Sequence, residues 1–127
     1  LYFRIANYRQ ASRLISNGSD TQLLASYVAR GCRRTRVVAD VETPTDTVEI
    51  ARVCAVEGCE AYVDRLLEHT DSHTILIVED IADNPMAQRI WQRLLDSPKV
   101  SVSYDLYWAG VAFFDTERFK TCYIVNF

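Results

Sequence analysis

The sequence predicts a single-domain α/β sandwich over residues 1–127. Its central mixed sheet has a parallel portion and an antiparallel C-terminal hairpin, and its helices pack on the sheet. Three observations predict this fold class. The chain of 127 residues has the length of one domain. Helix and strand patterns alternate through the first hundred residues, and the last 29 residues hold only strand patterns.

The N-terminal third is predicted to contain two strands and two helices. Residues 2–8 have the composition of a strand, and residues 9–18 repeat their apolar side chains at helical spacing. A second helix is expected over residues 21–30, because a capping residue precedes it and a glycine follows it. Residues 33–42 are β-branched and apolar at their centre, which favours a strand buried on both faces.

The middle of the chain is predicted to alternate helix, strand and helix. Asp46 is positioned to cap a helix with Ile50 and Cys54 on its inward side, and Gly58 interrupts the pattern before it restarts. Residues 73–79 form the next strand. Asn84 as N-cap, followed by proline, then opens a helix over residues 85–97.

The C-terminal segment is predicted to be entirely strand. Residues 99–104 alternate valine or tyrosine with serine, the pattern of a half-buried strand. Residues 106–114 and 119–127 flank the polar residues 115–118, which predicts that these two apolar segments pair as an antiparallel hairpin.

The composition is that of an ordinary globular protein, with 49% hydrophobic and 24% charged residues. No apolar run reaches the ~20 residues of a membrane span, and no charged-then-apolar leader opens the sequence. The four cysteines include no C-x-x-C pair, so free, mostly buried thiols are expected. These features predict an intracellular protein in a reducing compartment, with no secretion signal and no membrane span.

The net charge of −3 conceals an uneven distribution. Residues 1–36 carry seven Arg and one Asp, whereas residues 37–127 carry seven Lys or Arg and sixteen Asp or Glu. One interpretation is that the basic third folds against the acidic remainder. The alternative is a molecule with opposed basic and acidic faces, suited to stacking on itself or on a charged partner.

Acidic residues follow two of the predicted strands. Asp40 and Glu42 end one strand, and Glu79 and Asp80 end another. Ligands of parallel sheets collect beyond the carboxyl ends of the strands, and Mg²⁺ prefers oxygen ligands. These four residues are therefore candidate ligands in a Mg²⁺-dependent phosphoryl-transfer enzyme. The alternative is that they solvate loops and cap helices.

The run ILIVED followed by NPMAQRIWQRLL resembles part of a response-regulator receiver domain. The resemblance covers about twenty residues and implies an acidic pair at Glu79 and Asp80. The phosphoacceptor aspartate of that family would then fall in residues 123–127, which contain no acid, and no later lysine exists. The residues that perform the chemistry are missing, and the sequence is not assigned to the family.

Four arginines cluster between the second predicted helix and the following strand: Arg30, Arg33, Arg34 and Arg36. Arginine pairs with carboxylates and phosphates in a bidentate manner, so the cluster is a candidate site for an anion or a charged partner. The sequence pI of about 5.3 argues against nucleic acid. Internal salt bridges or a protein partner are expected instead.

Aromatic residues concentrate near the C-terminus. The candidate interface residues are Tyr107, Trp108, Phe113, Phe114, Phe119, Tyr123 and Phe127. Neighbouring residues of a strand point to opposite faces, so adjacent aromatic pairs place rings on both sides of the sheet. The terminal strand is also expected to present an unprotected edge, which invites strand pairing.

The sequence therefore predicts a non-catalytic α/β interaction or assembly module that associates with itself or with a protein partner through the aromatic C-terminal hairpin. A minor component of a multi-subunit shell, including a viral one, is a concrete form of this hypothesis. The alternative is the Mg²⁺-dependent enzyme with Asp40, Glu42, Glu79 and Asp80 at its site.

Overall fold

A computed structural model describes residues 1–115 and 120–125. Within them the chain forms one mixed sheet of seven strands with four helices packed on it, which confirms the predicted fold class. No helix in this part of the chain is long and apolar enough to cross a membrane. The elements are α1 (Tyr2–Arg9), β1 (Arg13–Ser16), α2 (Thr21–Gly31), β2 (Arg36–Val38), β3 (Ile50–Val53), α3 (Cys59–Leu67), β4 (Ile75–Glu79), α4 (Pro85–Asp96), β5 (Val102–Asp105), β6 (Ala109–Phe113) and β7 (Thr121–Ile124).

The strand order across the sheet is β2-β1-β3-β4-β6-β5-β7. Strands β1 to β4 run parallel to one another. Strand β6 runs antiparallel to both of its neighbours, β4 and β5. Strand β7 pairs in parallel with β5. The sheet therefore has a parallel half and a mixed half, joined where β4 meets β6.

The sheet is buried on both faces by helices. One face packs with α3 and α4 around Leu76 and Val78, and the other packs with α1 and α2 around Ile75 and Ile77. All four of these β4 residues are buried. This explains why residues 75–78 form a continuous apolar run rather than an alternating one.

Helix α4 begins as the sequence predicts. The side chain of Asn84 accepts hydrogen bonds from the backbone N–H groups of Met86 (2.9 Å) and Ala87 (3.2 Å). Pro85 occupies the first helical position, where a missing N–H costs nothing. The apolar spacing of the helix predicts that five residues are buried; Ala87, Ile90, Trp91 and Leu94 are buried, and Leu95 is half-buried.

The two N-terminal elements exchange their predicted types. Residues 2–8 lie in helix α1 and not in a strand, and residues 9–18 contain strand β1 and not a helix. The aromatic and β-branched composition of residues 2–8 suits any half-buried surface, and here that surface is the side of a helix. Strand β1 is four residues long, too short for its apolar period to separate strand from helix.

The predicted helix after Asp46 is also wrong. Residues 50–53 form strand β3, which lies between β1 and β4 at the centre of the parallel half. All four residues of β3 are buried, because helices cover both faces. A short, fully buried strand produces the same apolar run as a buried helix.

The C-terminal hairpin is present, but its strands differ from those predicted. Strand β6 pairs with β5 through a turn at residues 106–108, and not with the terminal strand. Strand β7 instead lies beyond β5 and is parallel to it. The predicted turn at residues 115–118 lies partly outside the described residues.

Strand β2 is shorter and less buried than predicted. It spans Arg36–Val38 at one edge of the sheet and pairs only with β1 within the described residues. Its two valines are half-buried, because an edge strand has a neighbour on one side only. The expectation of a strand buried on both faces is therefore wrong.

Candidate functional site

The four predicted carboxylates do not meet at one point of the carboxyl edge of the sheet. Asp40 and Glu42 follow β2, whereas Glu79 ends β4 and Asp80 follows it. Strands β1 and β3 separate β2 from β4. Three strand spacings of about 4.8 Å place the two pairs about 14 Å apart.

The carboxylates after β2 are bound by arginines. Asp40 pairs with Arg65 of α3 at 2.7 Å. Glu42 lies between Arg36 (3.4 Å) and Arg13 (3.8 Å), which occupy matching positions on the neighbouring strands β2 and β1. Asp40 therefore ties the end of β2 to helix α3, and Glu42 neutralises arginines of β1 and β2.

The carboxylate of Glu79 belongs to a different cluster, built around Arg52 of β3. The guanidinium of Arg52 donates to both oxygens of Asp20, at 2.6 and 3.0 Å. It also donates to Glu79 at 2.8 Å. The Arg52 side chain is only 8% exposed, whereas Asp20 stays half exposed and Glu79 is half-buried. This bidentate pair and its second carboxylate join three segments: the loop after β1, the strand β3 and the end of β4.

Tyr2 covers this cluster from helix α1. Its hydroxyl donates a hydrogen bond to Glu79, and its ring lies 5.5 Å from the guanidinium carbon of Arg52. Burial and the adjacent Glu79 carboxylate raise the pKa of Tyr2 above its ordinary value. Burial alone would lower the pKa of Arg52, but its hydrogen bonds to Asp20 and Glu79 outweigh burial and raise it. Both groups therefore keep their protons at any physiological pH.

Cys54 and Gly18 lie beside the guanidinium of Arg52. Burial raises the pKa of the Cys54 thiol to about 11, so this cysteine is not a thiolate nucleophile at neutral pH. A Cβ at Gly18 would lie 2.9 Å from the Asp20 carboxylate and 3.0 Å from the sulfur of Cys54. The side chain of Asn17 joins the loop after β1 to the segment after β3. Its amide oxygen accepts from the backbone N–H of Cys54 (2.7 Å), and its amide nitrogen donates to the backbone carbonyl of Cys54 (3.0 Å).

The cluster is arranged to stabilise the fold. Its two carboxylates are occupied by Arg52, and among residues 1–115 and 120–125 no three His, Cys, Asp or Glu side chains are grouped to hold a metal ion. Sequence reasoning missed Tyr2, Asp20 and Arg52 as a group. The available indication was a lone arginine inside the otherwise apolar run of residues 50–56, because a buried arginine requires a partner.

The predicted arginine cluster lies at the β2 edge. Arg36 pairs with Glu42, and Arg34 donates to the carbonyl of Gln10 at 3.2 Å. Arg30 and Arg33 are exposed. The cluster thus combines internal pairing with free positive charge.

The predicted aromatic interface divides into exposed and buried members. Tyr107, Trp108 and Tyr123 are 56%, 65% and 50% exposed. Phe113 is half-buried against the α1–α2 face, and Phe114 is a core residue on the opposite face with 3% exposure. The two phenylalanines therefore lie on opposite faces as predicted, but Phe114 is held by the α3–α4 core and is not a surface side chain. The remaining two candidates, Phe119 and Phe127, lie outside the described residues.

The turn between β5 and β6 holds the first two aromatics in a fixed position. Tyr107 has a φ of 72°, a left-handed conformation that a bulky side chain rarely adopts. Its N–H bonds to the Asp105 carboxylate (2.9 Å), and the carbonyl of Trp108 accepts from Asp80 (2.8 Å). The two rings pack edge to face, with centroids 4.9 Å apart.

Strand β7 brings two more exposed side chains to the same end of the sheet, one on each face because they are neighbours along the strand. Ile124 is 73% exposed and lies beside Asp105, two residues before Tyr107. Tyr123 stacks on Tyr104, with centroids 5.2 Å apart. We refer to Tyr107, Trp108, Tyr123 and Ile124 as the aromatic corner.

Comparison with known proteins does not assign a family, because no family model, curated protein or solved structure matches this chain.

Proposed function

We propose that this protein is a non-catalytic assembly module that pairs with a second copy of itself through the aromatic corner and the outer edge of β7. The observation that carries the proposal is the exposure of four large apolar side chains at one corner of the molecule, each at 50% or more. Large apolar side chains that are exposed near one another are a mark of interaction sites. A minor component of a multi-subunit shell, such as a viral one, is the form of assembly we favour.

The turn that carries Tyr107 and Trp108 is suited to binding. Tryptophan and tyrosine are the residues that most often dominate the energy of protein interfaces. The positive φ of Tyr107 costs conformational energy, and the surrounding hydrogen bonds hold it in place. An aromatic pair that is already fixed loses little entropy on binding.

The outer edge of β7 supplies backbone groups for pairing. The N–H of Thr121 bonds to the carbonyl of Ser101, just before β5, and the N–H of Val125 bonds to the carbonyl of Asp105 in β5, at 2.9 and 2.8 Å. Because bonding residues alternate along a parallel pair, the N–H and C=O groups of Cys122 and Ile124 point away from β5. Within the described residues β7 has no neighbour on that side. Its four residues carry no charge that would repel an identical strand.

Sedimentation velocity across a concentration series tests the proposal. We expect reversible association in the tens of micromolar range, because standard interfaces of modest size give such affinities. Trp108→Ala should weaken it by about tenfold or more, the effect of losing a single interface hot spot. Tyr27→Ala is the matched control, because Tyr27 is a comparably exposed aromatic on α2, 48% exposed and outside the corner.

Two outcomes would contradict the proposal. One is a monomer at every concentration. The other is association that Trp108→Ala and Tyr27→Ala weaken equally, because the corner would then have no special role.

A further inference from the structure

A cavity of about 440 Å³ lies at the opposite end of the sheet from the aromatic corner. It opens where β4 and β5 begin and where β6 ends, beside the C-terminal turn of α1. Its volume falls within the range of small-molecule sites, ~300–1,000 Å³. One of its lining residues, Tyr104, stacks on Tyr123 of the aromatic corner.

The floor of the cavity is apolar and partly aromatic. Ile75 and Phe113 face it as register partners on β4 and β6, and Val102 and Tyr104 face it from β5. The rings of Tyr104 and Phe113 meet edge to face, with centroids 5.8 Å apart and planes at 79°. Two rings at this angle form a corner against which a third flat ring can pack.

The cavity is also lined by an arginine that lacks a partner. Three arginines of the described residues are not exposed: Arg9, Arg13 and Arg52. Arg13 and Arg52 are each paired with carboxylates. No hydrogen bond or ion pair among the described residues involves the Arg9 side chain, and its Nε is fully buried.

Arg9 is half-buried and has no carboxylate partner among the described residues, so its guanidinium is available to an anion. Its position in the last turn of α1 also favours a positive charge. A planar carboxylate binds a guanidinium through two parallel hydrogen bonds, which the two terminal nitrogens can donate.

We infer that this cavity binds a small aromatic monocarboxylate, with the ring against Tyr104 and Phe113 and the carboxylate on Arg9. His73 and Ser72 lie at the same lining and are further donors for the carboxylate. Asp115 also lines the cavity and has an interaction of its own.

Isothermal titration calorimetry with three probes tests the ligand class. Benzoate and 3-phenylpropionate should bind saturably with one site per chain. Benzamide lacks the negative charge, so it should bind at least about tenfold more weakly, as expected for the loss of a hydrogen bond to a charged group. The inference is overturned if neither carboxylate binds, or if benzamide binds as tightly as benzoate.

Variants on helix α1 test the site. Arg9→Gln should weaken the binding of 3-phenylpropionate by about tenfold, because it removes the charge-assisted pair. Arg4→Gln is the matched control, because Arg4 is exposed on the same helix, and it should leave binding unchanged. Equal affinities of the wild type and Arg9→Gln would place any observed binding elsewhere and overturn the inference.

A cavity-filling variant covers the case in which Arg9→Gln does not fold. Val102→Trp places a large side chain in the cavity from a half-buried strand position. It should abolish binding while the protein still unfolds cooperatively. Retained binding in the folded Val102→Trp variant would contradict the inference.

Discussion

The two edge strands of the sheet, β2 and β7, differ in how well they are protected against pairing with another strand. Strand β2 has three residues, begins with Arg36 and follows the exposed Arg33 and Arg34. Strand β7 has four residues, none of them charged, and continues into the aromatic corner. Natural sheets protect their edges with short strands and charged side chains. The comparison indicates that β2 is a protected edge and β7 an open one.

The largest expected effect is a difference in the free energy of unfolding between two arginine variants, one inside the fold and one at the β2 edge. Arg52→Ala should lower the free energy of unfolding by about 3 kcal/mol, the lower end for a buried pair because Asp20 stays half exposed. Arg36→Ala should cost about 0–1 kcal/mol, because its pair with Glu42 is exposed. Urea denaturation of both variants measures the difference. Equal costs would mean that the β2 charges are structural, and the protective role would lose its support.

Proline substitutions along β7 compare its inner and outer sides. The N–H groups of Thr121 and Val125 both point towards β5. Because every second residue of a strand points to the same side, the N–H of Tyr123 also faces β5. Tyr123→Pro should destabilise the protein by about 2 kcal/mol more than Ile124→Pro, because it removes a ladder hydrogen bond. Ile124→Pro should keep the fold and abolish association. Thermal unfolding and sedimentation together measure both effects, and a dimer formed by Ile124→Pro would exclude pairing through this edge.

Adding a charge to β7 and removing one from β2 should exchange the tendencies of the two edges to associate. Ile124→Lys gives β7 the kind of side chain that protects β2, and it should abolish association while changing stability by about 0.5 kcal/mol or less. Arg36→Val removes the charge that begins β2 and should increase association at that edge. Sedimentation of the two single variants and of the double variant measures the exchange. If Ile124→Lys associates like the wild type, the open-edge interpretation fails.

The smallest effect concerns the pH dependence of the β2 side of the sheet. The hydrogen bond from Arg13, aided by Thr43, holds the pKa of Asp46 well below its usual range. A lowered pKa in the folded state stabilises the protein above the unfolded value of about 3.9, and this contribution is lost as the pH falls further. The stability difference between the wild type and Asp46→Asn should therefore shrink as the pH falls from 6 towards 2.

Chemical denaturation at several pH values measures this difference, with Asp83→Asn as the control on an exposed loop. A difference that stays constant with pH would show that the Arg13 pair does not depend on the charge of Asp46.

The sequence predicted the fold class because the strongest patterns belong to the central elements. The apolar run of residues 75–78 and the Asn84–Pro85 helix start each combine several independent indications, and both are correct. Strands β1 and β3 have four residues each and were predicted as helices. Short segments buried on both faces carry no period that separates the two structures. Tertiary packing decided their type.

The candidate sites depended on contacts that no local pattern records. The carboxylates of Asp40 and Glu79 each follow a strand, but the strand order places them on different arginines. The Arg52 cluster joins residues 2, 20, 52 and 79, which only the crossover connections bring together. Tyr107 and Trp108 were predicted as strand residues with rings on opposite faces of the sheet, but they lie in the turn before β6, where both are exposed.

Residue-resolved amide hydrogen exchange at low and high protein concentration tests the central claim most directly. The outward N–H groups of Cys122 and Ile124 should exchange rapidly in the dilute protein and become protected as the chains associate. The N–H of Val37, which points away from β1 at the protected edge, should exchange at the same rate in both samples. If Cys122 and Ile124 stay unprotected in a sample that has associated, β7 is not the pairing edge and the account is wrong.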